Sequence, residues 1–177
     1  IGVSGTHGKT TTTSLVAWIL EYAGRNAGFL IGGVPADFEF SARLGKDPVF
    51  VIEADEYDTA FFEKTPKFWH YKPEVAILTS IEHDHIDIYP DEASYLAAFR
   101  GFVERVPTSG LVVACASDRR VVDIVQQSVA RAAAENRPHA EVAWFALDGE
   151  DTHGMPPHWL AAPVAAGADG QTFDLYA

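Results

Sequence analysis

A single cysteine, Cys115, in 177 residues leaves no partner for an internal disulfide and too few thiols for a cysteine-based zinc site. Disulfide-stapled and zinc-ribbon architectures are excluded for this chain, and a cytoplasmic setting is expected. Long apolar runs are lacking as well. No stretch approaches the roughly 18 to 20 residues that a membrane helix needs, so no membrane partner is expected. The opening IGVSGTHGKT has no basic start followed by an apolar stretch, so no secretory signal is expected in it. Cations are scarce: 13 Lys and Arg stand against 25 Asp and Glu, a net charge of −12. A chain so negative repels nucleic acid and anionic surfaces, and no nucleic-acid partner is expected. A phosphate ligand would need backbone amides, a few placed cations and divalent metal.

What is present suits an ordinary globular domain, with 47% hydrophobic and 21% charged residues. Strand-like and helix-like stretches alternate. Ile1 to Ser4 is a short apolar run. Lys9 to Ala23 has helical spacing, with Leu15, Ile19 and Tyr22 on one side and Trp18 beside them. Strands are expected over 27–31, 49–54, 75–79, 111–115 and 141–146. Helices are expected from Glu92 to about Val106 and from Asp118 to about Asn136, the first capped by Asp91. Residues 55–73 read as an irregular, aromatic-rich connection, and residues from 147 onward as hairpins or an antiparallel edge. The alternation implies an α/β fold of the P-loop type. Its sheet should be open and mostly parallel, with helices on both faces and a small antiparallel C-terminal extension. Both ends look like cuts through strands, so residues 1–177 are expected to be one excised domain.

The strongest local signal is the run from Gly2 to Thr11, GVSGTHGKTT, which follows a strand and opens a helix. Glycines let backbone amides turn toward phosphate oxygens, and the helix N-terminus adds its positive end. Lys9 can reach the terminal phosphates and the Thr10 hydroxyl can bind Mg²⁺. The standard first glycine of such a loop falls at Val3, a departure from the common motif. His7 taken alone reads as solvent-facing. Two acidic groups stand at later strand ends, where ligands of open α/β sheets collect. One is Glu53-Ala54-Asp55-Glu56-Tyr57-Asp58; the other is Glu82-His83-Asp84-His85-Ile86-Asp87. The second also fits the ligand set of a metal-dependent hydrolase, or a polar strand exit with no chemistry.

GTHGKTTTT, EADEYDTAFF and EHDHIDIY, at these separations, together resemble the central ATP-binding domain of the Mur ligase family, clearly over Ile1 to Cys115. The resemblance implies an ATP- and Mg²⁺-dependent ligase. Such an enzyme phosphorylates a substrate carboxylate, then lets an amine attack the acyl phosphate. It implies that Gly5, Thr6, His7, Gly8, Lys9, Thr10 and Thr11 hold the phosphates. Lys9, Glu53 and His85 would carry the chemistry, with Thr10, Glu53 and His85 as metal ligands converging beside the γ-phosphate. Asp84 and Asp87 would orient that site, and the choice of metal ligand among Glu53, Asp55 and Glu56 stays open. Some family members use a carbamylated lysine where this chain has Arg100, 15 residues after His85.

Glu53-Ala54-Asp55-Glu56 resembles the subgroup acting on UDP-N-acetylmuramate. The segments Tyr57 to Phe62 and Lys67 to Tyr71 (KFWHY) resemble the branch that adds the recycled tripeptide L-alanyl-γ-D-glutamyl-meso-diaminopimelate. The alanine-adding branch typically has Ser in place of Tyr57. Folylpolyglutamate synthases and a nucleotide-binding module without turnover are the other readings. The family's UDP-binding and C-terminal domains, and its late H-N-x-x-N element, are absent from these residues. The piece is therefore expected to fold but not to catalyse, and to bind ATP poorly.

Overall fold

A computed structural model of the chain describes residues 1–60, 63–167 and 170–177. In chain order the elements are β1 (Gly2–Ser4), α1 (Lys9–Tyr22), β2 (Gly28–Leu30), β3 (Ala42–Arg43), β4 (Phe50–Glu53), β5 (Asp58–Ala60), β6 (Glu63–Pro66), α2 (Phe68–Tyr71), β7 (Val75–Leu78), α3 (Glu92–Val103), β8 (Leu111–Cys115), α4 (Arg119–Ala134), β9 (Glu141–Leu147), β10 (Trp159–Gly167) and β11 (Gly170–Tyr176). Nine strands form one sheet in the order β11-β10-β9-β8-β7-β1-β4-β2-β3. Neighbouring strands from β10 across to β2 run parallel, and the outermost strands β11 and β3 are antiparallel. The expected mostly parallel α/β sheet is the observed one.

Register places two cores on opposite faces. Gly2 lies beside both Ile52 and Ala76, and Val3 beside Glu53 and Ile77. Side chains alternate along a strand, so Val51 and Ala76 point to opposite sides. Val51 joins Ala17, Phe29 and Ile31 under α1. Ala76 and Leu78 join Phe68, Tyr95, Phe99 and Phe102 on the side of α2, α3 and α4. Phe68 stacks on Phe102 at 4.8 Å and meets Phe99 edge-on at 5.4 Å.

Two expectations are corrected. The stretch 55–73 is not wholly irregular: among its described residues β5 and β6 pair antiparallel and α2 is a short helix. The C-terminal extension is only partly antiparallel, because β10 pairs parallel with β9. The apolar residues that mark α1 as a helix are not its innermost ones, although Val16 and Leu20 pack against the core. Leu15, Trp18, Ile19 and Tyr22 are exposed, while Thr13 and Ala17 are buried. Small residues let the helix lie close to the strands that carry the loop.

The cap read from the sequence at Asp91 does form, and Asp118, expected as the first residue of its helix, is a second N-cap. The Asp91 carboxylate accepts from Ser94 N–H at 2.7 Å, and that of Asp118 from Val121 N–H at 2.9 Å. Asp118 also accepts from Ile81 N–H at 3.1 Å, tying the α4 start to the β7 exit. Asp118→Ala removes both bonds and should destabilise the chain by about 2 kcal/mol. For a domain of this size that is roughly a 4 to 8 °C fall in melting temperature, measurable by circular dichroism.

Candidate active site

Strands β4, β1 and β7 are adjacent and parallel, so their C-terminal exits open on one edge of the sheet. The chain leaves β1 through α1 for β2, beyond β4, and crosses to β7 on the other side of β1 only after β4; this reversal makes the edge the switch point where α/β folds bind ligands.

The β1 exit is held by the β7 exit. Thr6 N–H donates to Ser80 O at 2.7 Å, His7 N–H to Ser80 Oγ at 3.2 Å, and Thr79 Oγ1 to His7 O at 2.6 Å. Gly5 has φ +139°, and a Cβ there would lie 2.1 Å from Thr79 Oγ1 and 2.9 Å from Ser80 N. Only glycine fits that approach. Gly8 then takes a left-handed conformation, φ 79°, as the N-cap of α1. Unlike α3 and α4, α1 has no capping side chain, and like α4 it has no acid in its first turn. Its first backbone bond is Thr12 N–H to Gly8 O at 2.9 Å. The amides of Lys9, Thr10 and Thr11 therefore remain available to an anion.

Acids meet this loop from β4. Glu53 is almost fully buried; its Oε1 accepts from Thr10 Oγ1 at 2.7 Å and its Oε2 from Gly32 N–H at 2.6 Å. Lys9, Thr10, Glu53, Asp55 and Tyr57 line a cleft of about 440 Å³. Burial pushes the Asp55 carboxyl above its ordinary value, against the pull of Lys9. Lys9 is folded back: Nζ donates to Gly5 O at 2.6 Å and lies 3.3 Å from Glu56 Oε2. His85, at φ 56°, places Nε2 3.3 Å from Glu56 Oε1 and its ring 4.4 Å from that of Tyr57. Asp84 accepts from the His85 amide at 2.7 Å.

The three residues expected to converge do so unevenly. Thr10 and Glu53 are in direct contact, whereas His85 comes to Glu56, one of the acids whose role the sequence left open. Among the described residues, no three His, Cys, Asp or Glu side chains gather as a metal site by themselves. A Thr–Glu pair beside open amides suits Mg²⁺, which takes one or two protein ligands and completes its shell with phosphate and water. The close contact of Gly32 with Glu53 and the uncapped glycine turn fit a Mg²⁺–nucleotide in the same way. His7 stays exposed, its Nε2 3.0 Å from Glu82.

Sequence reading missed Tyr95, whose hydroxyl lies 2.9 Å from Thr6 Oγ1 and donates to Glu56 at 3.2 Å. Its position in a helix carried no signal. Gly32, just past the strand expected over 27–31, also carried no signal of a role in the site. The KFWHY segment is a packing wedge beneath the site. Phe68 is buried, Trp69 Nε1–H donates to Ala98 O at 2.8 Å, and the Arg105 guanidinium lies over the Trp69 ring. Arg100 donates to Gln127 at 2.8 Å, so its charge is engaged between α3 and α4. Phe61 and Phe62, part of the quoted motif, lie outside the described residues.

Residues 3–152 match the family described as Mur ligase middle domain. The UDP-N-acetylmuramate--L-alanyl-gamma-D-glutamyl-meso-2,6-diaminoheptandioate ligase of Haemophilus influenzae is 51% identical over 119 residues, covering 67% of this chain and 26% of that protein. The UDP-N-acetylmuramate--L-alanine ligase of Roseiflexus sp. is 39% identical over 184 residues, covering 99% of this chain and 35% of that protein. The crystal structure of the UDP-N-acetylmuramate:L-alanyl-gamma-D-glutamyl-meso-diaminopimelate ligase from Neisseria meningitides superposes with a TM-score of 0.75 at 42% identity, over 99% of this chain and 51% of that one. The chain thus spans from about a quarter to about a third of the length of these two curated relatives. With the fold, the phosphate loop and the family match in agreement, the chain belongs to the Mur ligase family and carries its middle domain.

Proposed function

We propose that the chain is the ATP-binding centre of a cytoplasmic ligase that joins UDP-N-acetylmuramate to the tripeptide L-alanyl-γ-D-glutamyl-meso-diaminopimelate, a step of peptidoglycan recycling. The observation that carries the nucleotide part is the Thr10–Glu53 contact at an uncapped helix N-terminus, with Lys9 beside it. The substrates are supported by the 51% and 42% identities to ligases of that name and by Tyr57 in the cleft. In this reading the UDP-binding and amine-delivering domains belong to the rest of the protein.

Bound MgATP would transfer its γ-phosphoryl group to the muramate carboxylate with release of ADP, and attack of the tripeptide amine on the resulting acyl phosphate would form the amide and expel inorganic phosphate. The chain's residues manage the charge. Two anions must approach each other in a chain that carries −12. The amides of Gly8 to Thr11 and the helix terminus bind phosphate oxygens. Lys9 swings from Gly5 O toward the terminal phosphates. Thr10 and Glu53 would hold the cation, and His85, beside Glu56, would offer its imidazole as a further metal ligand.

The 39% identity to an alanine-adding ligase along nearly the whole chain supports a second reading, in which L-alanine is the amine. ADP release by the full-length protein with UDP-N-acetylmuramate separates the two. Release that requires the tripeptide is expected. Release with L-alanine and none with tripeptide establishes the second reading, and no release with either rejects both.

A further inference from the structure

This inference rests on the proposed function and concerns a residue to which that function gives no task. Glu56 follows β4 and is completely buried, although it is a carboxylate. Donors surround it: Tyr95 O–H reaches Oε1 at 3.2 Å, His85 Nε2 stands 3.3 Å from the same oxygen, and Tyr89 O–H donates to the Glu56 carbonyl. Lys9 Nζ lies 3.3 Å from Oε2, yet Oε2 makes no hydrogen bond. The short bond of Lys9 goes to Gly5 O instead, at 2.6 Å. A buried carboxylate oxygen without a hydrogen bond is unfavourable and calls for an explanation. Here it faces the one cation of the phosphate loop. Glu56 does not line the cleft, so any effect it has on a ligand passes through Lys9 and His85.

We propose that Glu56 is a positioning residue that stations the Lys9 ammonium and the His85 ring at the mouth of the loop and yields Lys9 to incoming phosphate. The contact is suited to exchange. It is an ion pair without a hydrogen bond, and Glu56 keeps Tyr95 and His85 when Lys9 leaves. Competition with Glu56 weakens nucleotide binding. Fixed starting places for Lys9 and His85 raise turnover. Glu56 therefore acts on affinity and rate in opposite directions, which a merely structural carboxylate does not.

The test is Glu56→Gln in the full-length protein, which keeps the shape and an oxygen for Tyr95 but removes the charge. Calorimetry with MgADP should show binding about tenfold tighter, the size expected for one charged contact released. Turnover, followed as ADP release, should fall about tenfold. In a Lys9→Ala background the same substitution should leave MgADP affinity unchanged, because the partner through which it acts is gone. It should also raise that variant's melting temperature, because it neutralises a buried carboxylate left without its cation. Should Glu56→Gln alone fail to fold, the melts of Lys9→Ala and Lys9→Ala/Glu56→Gln decide. Unchanged affinity and turnover overturn the proposal. So do a loss of stability with both parameters intact, an equal effect with and without Lys9, or a double variant that melts below Lys9→Ala. Failure of the underlying function looks different: wild-type protein that neither binds MgADP nor releases ADP with either amine.

Discussion

Lys9→Ala in the full-length protein should lower turnover by about three powers of ten, measured as steady-state ADP release at saturating substrates. Charge stabilisation is the main catalytic term in phosphoryl transfer, and Lys9 is the loop's own cation. Its surroundings explain why no other residue replaces it. The ammonium is nearly buried, held between Gly5 O and Glu56. The arginines of α3 and α4 pair along and between the helices, Arg100 with Gln127, Arg119 with Asp123, Arg120 with Glu92, and Arg131 with Glu104 and Glu135, rather than in the cleft. The substitution also strips a wholly buried carboxylate of its cation. Breaking a buried pair in this way costs about 3 to 5 kcal/mol, so the variant should melt well below wild type. Its rate is therefore to be read at a temperature where circular dichroism shows it folded. A drop of less than tenfold under those conditions would remove Lys9 from the chemistry.

Gly5→Ala should be the most damaging single-methyl change in the loop. The added Cβ would stand 2.1 Å from Thr79 Oγ1 and 2.9 Å from the backbone N and O of Ser80, at φ +139°. Thr79 cannot swing away without breaking its bond to His7 O, and Ser80 is fixed by Thr6 N–H. Steric overlap and the backbone conformation together should cost about 3 kcal/mol or more. That corresponds to a melting temperature lower by roughly 6 to 12 °C. Phosphate binding should weaken with it, because the loop can only relax by moving away from the β7 exit. Gly8→Ala is a useful contrast: its Cβ meets nothing nearer than Thr12 Oγ1 at 4.0 Å, and only its φ of +79° is strained, about 1 kcal/mol.

Most of this loop could be read from sequence because its determinants are local. A strand, three glycines, a lysine and a threonine in series dictate a turn into a helix, whatever surrounds them. The cap of α3 was legible for the same reason, since Asp91 acts within three residues; Asp118 caps α4 in the same local way but was read as the helix's first residue. Pairing over longer distances was not. The helical turn α2 within the 55–73 stretch is held because Phe68 finds Phe99 and Phe102 some thirty residues away. β10 joins β9 in parallel through contacts no local pattern encodes. Helical periodicity located α1 but not its inner face, since Thr13 and Ala17 win that position by being small. The three acids within 53–56 have the same ambiguity. Spacing cannot say that Glu53 turns to Thr10 while Glu56 turns to Lys9 and His85.

The central claim is that phosphate and Mg²⁺ meet at the β1–α1 turn. Backbone amide shifts measured by NMR during titration with magnesium pyrophosphate test it without the rest of the reaction. The largest shifts are predicted at Gly8, Lys9, Thr10 and Thr11, with Gly32 following as Glu53 turns from its amide toward the cation. They should vanish when magnesium pyrophosphate is replaced by magnesium chloride. Shifts concentrated instead along the trough between Val75, Leu111 and Ala143, a cavity of about 640 Å³ on the sheet, with the α1 amides unmoved, would contradict the account.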